Sequence, residues 1–199
     1  MNLMRIEPQN PDKNKIEKII EILKNGGVIL YPTDTVYGIG ANIFDKNAVK
    51  RVYSIKKRNY DMPLSVCVSN ADEIEKIAYL NSDLRKFINN IFPGPFTVIL
   101  QKKDHVPDII TAGSKKIGVR IPDSKLCMEL SKEFPITTTS ANISGEKILE
   151  SVDDILRELG NVFDAVIEAH SLKNTIPSTV VDLTGSKPKI LRKGVDLPF

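Results

Sequence analysis

The chain has 199 residues, 41% apolar and 27% charged, the balance of a globular protein able to bury a core. No apolar run approaches the ~18 residues needed to span a bilayer, and the opening MNLMRIEPQNPDKNK lacks the apolar centre of a signal peptide, so the expected setting is the cytoplasm. With 28 basic and 25 acidic residues the net charge is +3, enough to suit an anionic ligand but too small to mark a nucleic-acid binder.

Cys67 and Cys127 stand far apart with no C-x-x-C spacing, and each is expected to be a buried thiol. His105 and His170 also lack metal-ligand spacing, so neither a zinc centre nor a hydrolase triad is easily assembled.

In chain order, apolar Ile16, Ile19, Ile20, Ile22 and Leu23 recur at helical spacing over residues 11–25, and Asn25-Gly26-Gly27 stops the helix. Residues 28–31 read as a buried strand that Pro32 ends. Thr33, Asp34, Thr35 and Tyr37 follow as a polar loop, with Gly38 and Gly40 expected to give tight turns and close ligand approach. Asp45 caps a helix over 46–57 that ends in Lys56-Lys57-Arg58. These cations suit either the helix dipole or a phosphate group.

A second strand is expected over 64–68, then two short helices within 70–91 capped by Asn70 and Ser82. Pro93-Gly94-Pro95 makes a turn before a strand over 96–100, and 102–116 reads as loop. Residues 117–121 form a strand in which Arg120 lies between apolar neighbours, so it needs a partner or faces a ligand. A helix capped by Asp123 or Ser124 runs to about 132. TTTSANISG, residues 137–145, is a second polar strand exit, whose hydroxyls and amides suit phosphate or carboxylate oxygens and equally suit a capped turn. Ser151 caps a helix over 152–159, and strands are expected at 163–167, 180–183 and 189–191. Some seven strands alternate irregularly with helices, which predicts one α/β domain with a mixed sheet. Residues 102–116 and 168–178 are candidates for a mobile cover over a site.

Seven patches in order resemble the YrdC family: PTDTVYGIGA at 32–41, Lys56-x-Arg58, PGP at 93–95, GVRIP at 118–122, TSANISG at 139–145, PSTVVD at 177–182 and LRKG at 191–194. The resemblance implies a single YrdC-like domain over 1–199: an open twisted mixed sheet flanked by helices, with a concave basic cleft. It implies a nucleotidyltransferase that joins L-threonine, bicarbonate or carbon dioxide, and ATP into L-threonylcarbamoyl-adenylate and pyrophosphate. A separate transferase then carries the threonylcarbamoyl group to adenosine 37 of tRNAs reading codons that begin with A.

The same resemblance assigns roles. Thr35, Cys67, Arg120, Thr138 and Ser178 bind threonine, with Arg120 forming a fork to its carboxylate. Lys56 and Arg58 are catalytic and hold ATP phosphates. Ser140, Asn142 and Arg192 bind the nucleotide, and Mg2+ travels on the phosphates rather than in a carboxylate cage. Two positions depart from the family pattern: Asn59 where proline is common, and Cys67 where histidine is common.

The residue inventory fits this chemistry. A carbamate oxygen is already anionic, so attack on the α-phosphate needs cations and N–H donors rather than a Ser, Cys or His nucleophile. Two rivals remain. An RNA-binding module without chemistry is opposed by 6% aromatic content and the absence of Trp. A carbamoyl-phosphate-using maturation enzyme is opposed by the lack of zinc-finger-like cysteine sets.

Overall fold

Residues 28–31 are apolar or aromatic at every position, and all four are buried. A strand covered on both faces needs no polar alternation. Leu30 packs into one apolar cluster, and its neighbours Ile29 and Tyr31 into a second.

The computed structural model describes residues 2–169 and 176–198. Along them run β1 (Asn2–Arg5), α1 (Lys13–Lys24), β2 (Ile29–Pro32), β3 (Tyr37–Gly40), α2 (Lys46–Ile55) and β4 (Ser65–Cys67). Then come α3 (Ala71–Ile77), α4 (Ser82–Ile91), β5 (Phe96–Gln101), α5 (Asp108–Thr111), β6 (Lys116–Arg120) and α6 (Lys125–Leu130). The described chain closes with β7 (Ile136–Thr137), β8 (Thr139–Ser140), α7 (Val152–Leu159), β9 (Ala165–Glu168), β10 (Thr179–Asp182) and β11 (Lys189–Arg192). None of the described helices is long and apolar enough to cross a membrane.

The strands form two mixed sheets rather than the single sheet expected from the pattern. One has the order β1-β9-β2-β3-β8, the other β11-β10-β5-β6-β4-β7. The larger apolar cluster lies between them. From the six-stranded sheet it takes Val66, Val98, Leu100, Ile117, Val119 and Val181. The smaller cluster covers the far face of the five-stranded sheet with α1 and α6, through Ile16, Ile19, Leu23, Leu126 and Leu130. Residues 136–140 join the sheets: β7 pairs with β4, β8 pairs with β3, and Thr138 between them donates its N–H to Ser65 O at 2.8 Å.

Local chemistry explains most element ends. Asp12, Asp45, Asn70, Ser124 and Ser151 each accept a backbone N–H of the following helix turn. Asn81, not Ser82, caps α4. Gly26 takes φ 76°, the left-handed geometry that releases the chain after α1.

Several expectations need correction. Residues 2–5, Asn-Leu-Met-Arg, form a strand where none was expected: they pair in parallel with β9 at the sheet edge, where side chains stay exposed. Pro32 does not end pairing; it is the last residue of β2, opposite Tyr37. Residues 37–40 are strand, and Gly38 and Gly40 serve packing: a Cβ on Gly40 would sit 2.9 Å from the Tyr31 ring. Residues 102–116 contain the turn α5 rather than a plain loop. Of the other candidate cover, 168–178, the central residues 170–175, including His170, lie outside the described residues.

The fully buried Leu30 sets a stability test. Leu30→Ala should lower the unfolding free energy by about 2–5 kcal/mol. The exposed Leu3→Ala should stay within about 0.5 kcal/mol, both read by urea denaturation.

Candidate active site

Side chains alternate across a strand, so the six-stranded sheet has a second face opposite its apolar one. Lys116, Gly118 and Arg120 of β6, Thr97 of β5, Asp182 of β10 and Ser65 of β4 fall on it. Ser65, Thr97, Lys116, Gly118 and Asp182 line a cavity of about 320 Å³, roofed in part by Pro63 and Leu191. Gly118 keeps the floor low: a Cβ there would meet Ser65 Oγ at 3.3 Å and Thr97 Cγ2 at 3.5 Å. Lys116 pairs with Asp182 at 2.9 Å.

Two residues beyond Gly118, Arg120 is only 5% exposed. Its Nη2 donates to Asp34 Oδ1 at 2.8 Å and to Thr35 Oγ1 at 3.1 Å, both from the loop between β2 and β3 in the other sheet. Its Nε is buried and donates to nothing among the described residues. An unsatisfied buried N–H is costly, and one on a cation invites an anionic acceptor.

Arg192, at the end of β11, reaches the same region. Its Nε and Nη2 donate to Ser178 O at 3.1 and 2.8 Å, and Nη2 also donates to Ser178 Oγ at 3.0 Å. Ser178 Oγ in turn shares a 2.8 Å hydrogen bond with Thr97 Oγ1. Burial, and then repulsion from Arg120, hold Arg192 below its ordinary pKa. Two guanidiniums brought close enough to repel leave a place for an anion. Gly194 permits the approach: its N–H donates to Thr179 Oγ1 at 2.9 Å, and a Cβ there would fall 2.0 Å from Pro177 O.

Lys56 and Arg58 arise at the C-terminal end of α2, where Lys57 adopts φ 47° and turns the chain back. Lys56 is 1% exposed, and its Nζ donates to Ser140 O, to Asn142 O at 2.8 Å and to Asn142 Oδ1 at 3.3 Å. An ammonium has three N–H donors, and all three are engaged. Burial, with Arg58 adding repulsion, lowers the Lys56 pKa from 10.5 to about 7, against a smaller opposing pull from Glu158. Arg58 donates to Met62 O, Ser144 Oγ and Pro63 O at 3.1, 3.0 and 2.9 Å. Ser140 Oγ donates to Asn142 Oδ1 at 2.6 Å, and Asn142 Nδ2 to Glu146 O at 2.7 Å.

The structure therefore gathers the sequence-derived residues into two networks. One holds two bonded pairs, Thr35 with Arg120 and Ser178 with Arg192, whose guanidiniums repel each other; Lys56, Arg58, Ser140 and Asn142 form the other. None of these eight residues lines the cavity itself, but both groups touch its lining: Arg58 is bonded to Pro63 and Ser178 to Thr97. Thr138, 5% exposed, sits at the crossing between sheets. Cys67 is fully buried in the smaller apolar cluster, its thiol 3.7 Å from Ser131 Oγ and 3.9 Å from Cys127 O. Both cysteines are unoxidised, buried thiols, as expected from their spacing. His105 stacks on Phe44, ring centroids 6.4 Å apart. Among the described residues no cluster of three or more His, Cys, Asp or Glu is placed to hold a metal ion.

Sequence reasoning passed over Thr97, Lys116, Gly118 and Asp182, and treated Asp34 only as one polar loop residue. Gly118 carried a readable signal, because a glycine inside an apolar strand marks a close approach. The others did not, since their roles depend on which strands become neighbours.

The family model described as "Telomere recombination", covering Sua5, YciO and YrdC, matches residues 21–194. A Methanocaldococcus jannaschii protein named "Putative threonylcarbamoyl-AMP synthase" is 42% identical over 197 residues, 97% of this chain and 93% of that one. Pyrococcus abyssi Sua5, solved in complex with L-threonine, superposes with a TM-score of 0.91 at 31% identity. That match covers 98% of this chain, which spans only 58% of the Sua5 chain. Escherichia coli YciO superposes with a TM-score of 0.89 at 29% identity, covering 98% of this chain and 97% of YciO. The chain belongs to the Sua5/YciO/YrdC family.

Proposed function

We propose that this protein is a threonylcarbamoyl-AMP synthase, which converts L-threonine, bicarbonate or carbon dioxide, and ATP into L-threonylcarbamoyl-adenylate and pyrophosphate. The observation that carries the proposal is the buried Arg120, charged and with an unpaired Nε, beside the hydroxyl of Thr35. A buried guanidinium whose Nε still lacks an acceptor suits the carboxylate of an amino acid. The M. jannaschii relative's name and the threonine bound to P. abyssi Sua5 support the same reading.

In this reading threonine lies against Arg120, Thr35 and Ser178, with Thr138 nearby. The cavity over Gly118, lined by apolar Leu64, Ile99 and Val180 as well as by Ser65 and Thr97, takes the nucleotide, and Lys116 is part of its lining. Threonine's amine and carbon dioxide form a carbamate, whose oxygen attacks the α-phosphorus while the bond to pyrophosphate breaks. No protein nucleophile is required. Arg58 and Arg192 offset the charge of the phosphates and of the transition state. Ser140 and Asn142 hold the nucleotide side. Lys56 supplies charge and pins the Ser140–Asn142 segment, and it reaches a phosphate by exchanging one of its three present acceptors. The buried thiol of Cys67 supports the amino-acid site from beneath. Mg2+ enters with the ATP phosphates. The labile product passes to a separate transferase acting on tRNA adenosine 37.

The direct test is pyrophosphate release. It should require threonine, bicarbonate and ATP together and need no RNA; RNA binding without turnover would contradict the proposal. Arg120→Lys should raise the KM for threonine on the order of tenfold, ~1.4 kcal/mol, with much less effect on that for ATP. Gly118→Val should do the reverse, because its side chain enters the cavity between Ser65 and Thr97; an unchanged ATP affinity would place the nucleotide elsewhere.

Lys56 makes a pH prediction. Its pKa falls from 10.5 to about 7 on folding, so between those values the unfolded chain holds the extra proton. This group therefore makes stability rise with pH across that window. Lys56→Met should remove that part of the slope, as read by urea denaturation near pH 7 and near pH 10. Parallel slopes would show that Lys56 keeps its proton in the folded chain.

A further inference from the structure

Asp34 is the least exploited charged group in the site. Its side chain is 8% exposed and that of its partner Arg120 is 7% exposed, so neither is screened by bulk water. Both of its oxygens are engaged, in different directions. Oδ1 accepts from Arg120 Nη2 at 2.8 Å, and Oδ2 accepts from the backbone N–H of Asp123 at 3.1 Å. Asp34 belongs to the five-stranded sheet's β2–β3 loop; Arg120 ends β6 of the six-stranded sheet, and Asp123 follows three residues later. One carboxylate thus ties the loop to two points at the end of a strand in the other sheet.

The geometry points to Asp34 as a positioning residue for the amino-acid site. A guanidinium on a flexible stem has many rotamers, and a ligand that must order it loses affinity. Asp34 and Thr35 hold Nη2, and Asp123 N–H holds Asp34, so the guanidinium is fixed before any ligand arrives. The buried Nε is left without an acceptor among the described residues. Asp34 also offsets the charge that Arg120 brings into the interior. Its effect on the substrate passes through Arg120, and the chemistry it supports is recognition of an α-carboxylate. This inference rests on the proposed threonine-binding role of Arg120.

Calorimetry on the full chain tests it with three probes: L-threonine, L-threoninol, which lacks the carboxylate, and ATP. The unsubstituted protein should bind threonine at least about tenfold more tightly than threoninol. Asp34→Asn should lose about tenfold in threonine affinity and keep its threoninol and ATP affinities within about twofold. Asp34→Glu keeps a buried anion but displaces it by one methylene, so it should show the same selective loss. Threonine binding unchanged or tightened in both variants would overturn the positioning role, as would an equal loss of all three ligands. Failure of the unsubstituted protein to prefer threonine over threoninol would instead overturn the carboxylate-binding role of Arg120 itself.

Discussion

A buried guanidinium at the end of an inner strand of one sheet, matched to a carboxylate from the other, is the contact on which the rest of the site depends. Burying Arg120 costs several kcal/mol unless it is paired. Asp34 and Thr35 supply the pairing, and they can do so only if the β2–β3 loop lies over the end of β6. The contact therefore fixes how the two sheets meet at the site, while the larger apolar cluster fixes it at the centre. Because Nε remains unpaired, the arrangement is incomplete without an acceptor. Stability and binding draw on the same group.

The second cationic network follows a different logic. Lys56 is turned inward and its donors are consumed by the Ser140–Asn142 segment, whereas Arg58 sits half-buried and bonded to groups beside the cavity. The lysine gives charge and shape; the arginine gives contact. Lys57 in the left-handed region makes this division possible, since it turns the chain between the two side chains. Lys56 is held in the interior by carbonyl oxygens, and its lowered pKa reflects that burial first and the repulsion from Arg58 second.

Much of the chain could be read before folding. Helical spacing of Ile16, Ile19, Ile20 and Leu23 gave α1, and side-chain acceptors at Asp45, Asn70 and Ser151 marked real helix starts. Arg120 between apolar neighbours signalled a charge with a purpose. What stayed hidden was pairing. Nothing in residues 2–5 announces that they add to β9, and nothing in residues 37–40 separates a turn from a strand whose glycines accommodate Tyr31. The split into two sheets depends on residues 136–140 changing partners at Thr138. Asp34 and Thr97 acquire their roles only through neighbours distant in sequence, so their residue type alone could not reveal them.

The claim that the two cationic networks enclose one shared site is tested most directly by a crystal structure with L-threonine and a non-hydrolysable ATP analogue bound together. The account predicts threonine's carboxylate on Arg120 Nε, the phosphates beside Arg58 and Arg192, and the threonine nitrogen facing the α-phosphorus. Threonine and nucleotide bound in separate places, or a carboxylate that avoids Arg120, would contradict it.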